Sequence, residues 1–187
     1  HAAWWQPREN ASAALVVSRS SDGGTRWSEP LIADARDTGR DGCDRPAPAI
    51  AADSVTGYVH LVYFARPREG AGVWYTHSMD SGATFHSTTG LIFGDEPVRA
   101  GVASDGMLLV AAYEMPHARP ARIGVALSRT AGHTFEARVP ASEGRVASTE
   151  PRVAARDGSF AIAWTERGTG RASAGRTFVR SGSLIPE

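Results

Sequence analysis

Arg45, Arg99 and Arg152 raise the first chemical question in this 187-residue chain. A guanidinium presents a planar fork of donors that matches a carboxylate, so three of them converging would make an anion site. Each also has an acid close by in sequence: Asp44, Glu96 and Glu150. Ordinary ion pairs account for that arrangement just as well, and their energetic worth is small. Three further residue types invite chemistry. Tyr63, Tyr75 and Tyr113 are nucleophiles in a formal sense, although Tyr63 and Tyr113 recur in step with Trp5, as core positions do. His1 could chelate copper through its amine and ring. However, His60, His77, His86, His117 and His133 show no ligand spacing such as His-x-x-x-His, so neither metal nor cofactor is expected. A single Cys43 excludes an internal disulfide framework and any multi-thiolate site.

The elements that must position these residues come from a repeat. Asp53, Asp105 and Asp157 stand 52 residues apart twice. Each ends a short apolar segment and precedes a second one: Tyr58 to Phe64, Met107 to Tyr113 and Ser159 to Thr165. A period near 50 residues is the mark of a propeller or a related array. Relative to the repeat Asp, the three arginines sit at −8, −6 and −5, so they are not equivalent positions. That mismatch favours structural ion pairs over an anion-binding triad. Apolar residues make up 42% and charged ones 21%, which excludes a disordered chain. Net charge is zero and no basic run occurs, which argues against nucleic acid. No apolar stretch is long enough to span a bilayer as a helix.

A turn motif occurs three times, as Ser20-Ser21-Asp22-Gly23-Gly24-Thr25-Arg26-Trp27, Ser78-Met79-Asp80-Ser81-Gly82-Ala83-Thr84-Phe85 and Ser128-Arg129-Thr130-Ala131-Gly132-His133-Thr134-Phe135. The pattern is Ser-x-Asp-x-Gly-x-Thr-Trp/Phe, with Arg26 replacing the Thr in the first copy and Thr130 replacing the Asp in the third. An Asp side chain can accept from backbone N–H groups just ahead of it and lock a tight turn. Gly24, Gly82 and Gly132 supply positive φ, and Trp27, Phe85 and Phe135 are expected to tuck back as apolar plugs. Trp5, Tyr63 and Tyr113 each lie 17 residues before the third position of a copy, which sets the register. The expected fold is all-β: four-stranded antiparallel units A to D, with the motif turning C into D. The units fall at about 1–42, 43–95, 96–147 and 148–187 of a single domain. The first lacks its A strand and the last its D strand, giving about fourteen strands. A compact four-bladed form and an arc of a larger propeller both stay open.

The motif resembles the Asp-box, or BNR, repeat of sialidase-like β-propellers. The resemblance covers essentially the whole chain and implies that the boxes are peripheral scaffold. The active face of such enzymes would carry the D–A and B–C loops, among them Ala35 to Arg45 and Glu114 to Arg122. Sialidases hold a substrate carboxylate with three Arg residues and use an Asp acid/base and a Tyr nucleophile assisted by a Glu. The family's Arg-Ile-Pro motif is absent here and its Asp loop cannot be placed, so no complete catalytic set can be written. The expected function is therefore a non-catalytic, secreted or periplasmic propeller that binds a protein or scaffolds an assembly. Trp4 and Trp5 are then candidates for burial against the partner, and carbohydrate is a further candidate ligand. The alternative is a fragment of a sialidase-like glycoside hydrolase.

Overall fold

The computed structural model describes residues 1–9, 12–39, 45–168 and 175–183. Fourteen strands form four antiparallel sheets, with no α-helix among the described residues. Sheet 1 is β1 (Ala2–Pro7), β2 (Ala13–Ser18) and β3 (Leu31–Asp34). Sheet 2 is β4 (Ala49–Ala52), β5 (Val59–Ala65), β6 (Gly72–Ser78) and β7 (Thr89–Phe93). Sheet 3 is β8 (Ala100–Asp105), β9 (Leu108–Glu114), β10 (Ile123–Ser128) and β11 (Ala137–Pro140). Sheet 4 is β12 (Ala147–Arg156), β13 (Ser159–Arg167) and β14 (Arg176–Ser183). Strands of each sheet pair in chain order, and the three- and four-stranded counts follow the periodicity.

The sheets stack face to face. Residues such as Leu15, Leu61, Tyr63 and Trp74 close the seam between sheets 1 and 2. Val62, Tyr75, Leu109 and Tyr113 fill the seam between sheets 2 and 3, and Val110, Ile123, Ile162 and Trp164 that between sheets 3 and 4. Stacking on both sides explains the composition of the middle strands. Every residue of β5, β6 and β9 is buried, so β5 and β9 read as near-continuous apolar runs instead of alternating ones, while β6 ends on the buried polar Thr76, His77 and Ser78. Among the described residues, no apolar cluster joins sheet 4 back to sheet 1.

All three repeated turns connect the last two strands of sheets 1, 2 and 3. In each, the Ser hydroxyl accepts the glycine N–H: Gly24 to Ser20 at 2.8 Å, Gly82 to Ser78 at 2.8 Å and Gly132 to Ser128 at 3.0 Å. Asp22 accepts the N–H of Arg26 at 2.9 Å, and Asp80 that of Thr84 at 2.8 Å. Thr130 does the same work through its hydroxyl, accepting from Thr134 N–H at 2.9 Å. The glycines adopt φ of 92°, 84° and 86°. At Gly132 a Cβ would fall 1.7 Å from the Tyr75 hydroxyl, so packing forbids a side chain as firmly as the dihedral does.

The closing aromatics divide. Phe85 packs into the seam with sheet 1, and Phe135 meets Tyr75 of sheet 2 edge-on at 5.0 Å. Trp27 departs from the expected plug: it is 50% exposed and its indole N–H donates to Gly24 O at 3.1 Å. The physical reason is positional. Each aromatic reaches towards the preceding sheet, and among the described residues no sheet precedes sheet 1.

The repeat aspartates have a role that their spacing alone did not disclose. Asp53 accepts Val55 N–H and Thr56 N–H within its own turn, both at 2.8 Å, and Gly106 N–H of the next sheet at 2.8 Å. Asp105 repeats the link to Gly158 N–H at 3.0 Å. A fixed period therefore corresponds to a fixed hydrogen bond between neighbouring sheets.

Candidate functional site

Strands β4, β8 and β12 run side by side, and the N-terminal ends of β4 and β8 with the middle of β12 enclose a cleft of about 400 Å³. Its walls carry Arg99, Arg152 and Glu150 above a floor of small residues including Ala49 and Gly101. Two of the three arginines singled out in the sequence therefore share one site. Arg45 does not join them. Its side chain is buried, donates to Asp37 at 2.7 Å and to Gly39 O at 2.6 Å, and lies over Trp5. Asp37 also accepts Arg66 N–H at 2.8 Å, which makes this ion pair a clasp for the chain entering sheet 2.

The expected ion pairs are redistributed. Arg99 faces Glu150 at 4.0 Å, with both side chains largely exposed, while Glu96 takes Arg119 at 2.6 Å. Asp44 lies outside the described residues, as do Arg40 to Cys43 of the expected contact loop. Arg152 is exposed and forms no ion pair among the described residues.

Glu150 has an unusual backbone. Its φ is 60°, and the pairing of β12 with β13 shifts between Thr149 and Arg152, a bulge carrying one extra residue. Non-glycine residues in this region typically cost about 1–3 kcal/mol and persist only where surroundings hold them. Two contacts do so. The Glu150 N–H donates to Glu114 Oε1 at 2.8 Å, and a Cβ on Gly101 would meet Pro151 O at 3.1 Å, so sheet 3 lies tight against the bulge. Glu114, the last residue of β9, is buried; its other oxygen accepts Arg99 N–H at 3.1 Å. In sequence Glu114 reads only as a loop boundary, and nothing in its spacing marks it.

Two guanidinium groups and an exposed carboxylate can bind an anion and order hydroxyl groups around it. Glycoside hydrolysis asks for more, either two carboxylates or an equivalent nucleophile and acid. Glu150 is the one carboxylate among the described residues lining the cleft. The tyrosines stay in the core. Tyr63 donates to buried Asp34 at 2.6 Å, and burial, reinforced by that carboxylate, raises its pKa well above the usual phenol range. Burial raises Tyr75 and Tyr113 as well. Trp5 is half-buried inside the chain, edge-on to Tyr63 at 5.7 Å and donating to Pro46 O at 3.0 Å, so it is not free for a partner. Trp4 is 37% exposed.

Four histidines do gather, far apart in sequence though they are. His60 and His77 are cross-strand neighbours on β5 and β6, and His86 and His133 flank His77 with ring centroids at 4.8 and 4.9 Å. Among the described residues no three His, Cys, Asp or Glu side chains form a group able to hold a metal ion. His1 instead contacts Ser81 O at 2.9 Å. Among the described residues no helix is long and apolar enough to cross a membrane.

No protein-family model matches the chain, and no curated protein matches its sequence. Solved structures do. A Hadza microbial sialidase superposes with a TM-score of 0.57 at 21% identity, over 91% of this chain and 39% of that one. The α-L-arabinofuranosidase Arb93A from Fusarium graminearum, solved with an iminosugar inhibitor, gives 0.60 at 15% identity, over 96% and 57%. A Dyadobacter fermentans protein of unknown function gives 0.62 at 17% identity, over 97% and 55%. The all-β arrangement of antiparallel sheets is thus shared with solved structures that include glycosidases. The chain spans roughly 40 to 60% of the length of these structures.

Proposed function

We propose that this chain is an arc of a larger Asp-box propeller whose cleft binds an acidic saccharide, as part of a sialidase-like, extracytoplasmic glycoside-processing protein. The observation that carries the reading is the cleft itself, where Arg99 leading into β8 and Glu150 and Arg152 at the bulge of β12 line one space beside β4. Two cationic forks suit a carboxylated sugar, and the neighbouring carboxylate suits its hydroxyl groups. The arc is supported by broken periodicity at both ends. Trp27 is exposed where Phe85 and Phe135 are packed, and Asp157 is exposed where Asp53 and Asp105 each clasp the next sheet.

The test is direct binding of N-acetylneuraminic acid, with galactose as the neutral control, followed by assay of a fluorogenic sialoside. Saturable binding of the acid alone, lost in Arg99→Ala and Arg152→Ala, is the expected result. Equal affinity for both sugars, or arginine variants that bind as the unmutated chain does, would overturn it. A second reading rests on a different surface. Trp4, Val16 and Ile32 are register partners across sheet 1, and Trp4 and Ile32 are exposed on its outer face, which a protein partner could cover in a non-catalytic scaffold. A chain that is stable only when a partner is present, with no sugar binding, is the outcome that would favour it.

A further inference from the structure

Glu114 is a buried carboxylate placed where the cleft residues meet. Its two oxygens serve two different sheets: Oε2 accepts the N–H of Arg99, which leads into β8, and Oε1 accepts the N–H of Glu150 in β12. In return its own N–H donates to Arg99 O at 3.0 Å. No side chain of the opposite charge is needed, because two backbone donors solvate the group in place of water.

We propose that Glu114 is a positioning residue that sets the Arg99–Glu150 pair across the seam between sheets 3 and 4. The inference rests on the acidic-saccharide reading of the cleft and adds to it the device that shapes the site. Glu150 is where such a device is needed. Its φ of 60° lies immediately before Pro151, a position where extended backbone is preferred. The Glu114 carboxylate holds that N–H from below, and Gly101 admits the bulge from the side. Turned out of the ladder in this way, Glu150 lines the cleft within 4.0 Å of the Arg99 guanidinium. A neutral amide in place of the carboxylate cannot serve both donors, since one of its two heads is itself an N–H₂ group.

The experiment uses the whole 187-residue chain, labelled with ¹⁵N, and N-acetylneuraminic acid as the probe. In Glu114→Gln the amide protons of Arg99 and Glu150 should move upfield and exchange faster, while most other amides stay in place. Affinity for the probe should fall about tenfold, or roughly 1.4 kcal/mol. A purely structural role would lower the melting temperature without singling out those two amides. Arg99→Ala is read in parallel. If it loses the probe while Glu114→Gln keeps it, the positioning role is wrong and the cleft reading stands. If the unmutated chain takes no probe, the cleft reading fails, and the two amides then decide for Glu114: unmoved resonances overturn the proposal, and shifted ones uphold it as the device that shapes the bulge. Should Glu114→Gln not fold, Glu114→Asp keeps the charge on a shorter arm. Release of at least one of the two amides in that variant then upholds the proposal, and retention of both overturns it.

Discussion

At the scale of single residues, the buried polar groups are where stability is most exposed to change. Ser78 is fully buried; its hydroxyl accepts Gly82 N–H and donates to Asp80 Oδ1 at 2.7 Å. Ser78→Ala strands a buried N–H, so it should cost about 1–3 kcal/mol in a urea melt. Ser20→Ala in the exposed first copy should cost less, and equal losses would show that burial is not the cause. The histidine cluster predicts a pH dependence. Burial, with neighbouring histidines adding to it, lowers the pKa of His60 and of His77 from 6.5 to about 4. The Nε2 atoms of both rings are buried without a hydrogen-bond partner. Tyr58, Tyr75 and His133 face the pair, and Asp53 alone pulls His60 the other way. The unfolded chain therefore takes up protons that the folded one refuses as pH falls from about 6.5 to about 4. Stability should decline across that window, by about 3 kcal/mol for His60, with no further loss from these groups below it. A flat profile of unfolding free energy between pH 7 and pH 4.5 would contradict their burial as neutral rings.

At the scale of elements, the sheets are joined by apolar seams and by the aspartate clasp. Asp53 is buried and carries three backbone N–H groups; burial pushes its pKa up, and those donors more than offset this. Asp157 occupies the same place in the last repeat, yet it is exposed, with a surface contact to Arg156 at 3.3 Å. Asp53→Ala should cost about 1–3 kcal/mol through its unsatisfied donors, whereas Asp157→Ala should stay within about 0.5 kcal/mol. Similar losses at the two positions would show that the clasp between sheets contributes nothing. Core truncation sets the comparison: Leu61→Ala, at a fully buried site in the seam of sheets 1 and 2, should cost about 2–5 kcal/mol.

For the molecule as a whole, the apolar clusters of the described residues each join neighbouring sheets, so stability should decline from the centre outwards. The fully buried strands β5, β6 and β9 have neighbours on both faces, while β14 is exposed along nearly its whole length and forms an edge. Amide exchange should be slowest in those three strands and fastest in β14 and β3. Slow exchange throughout β14 would mean that its edge is covered in solution. The exposed Trp27, Trp4 and Ile32 of sheet 1 mark the complementary end of the array. With Trp27 and Ile32 exposed on sheet 1 and β14 exposed on sheet 4, the chain should also associate as its concentration rises, and charged substitutions at Trp27 and Ile32 should weaken that association.

Periodicity is a local property repeated along the chain, which is why the sequence alone determined so much of the architecture. The 52-residue step and the alignment of Trp5, Tyr63 and Tyr113 with the three Ser-x-Asp/Thr-x-Gly turns were enough to mark Tyr58 to Phe64, Met107 to Tyr113 and Ser159 to Thr165, which fall on β5, β9 and β13 to within about two residues. A turn and an apolar strand are specified by neighbours a few positions away, and their signals survive without tertiary knowledge. The site was not specified in that way. Arg45, Arg99 and Arg152 look alike in sequence, but one is clasped by Asp37 and two line a cleft, because the seams between sheets decide which side chains remain open. Glu114 and Glu150 are 36 residues apart and meet only when sheet 4 is laid against sheet 3. Trp27 stands in the same motif place as Phe85 and Phe135, yet it is exposed, and no described sheet lies against it on that side. Its burial depends on which sheet stands next to it, and only the tertiary structure decides that.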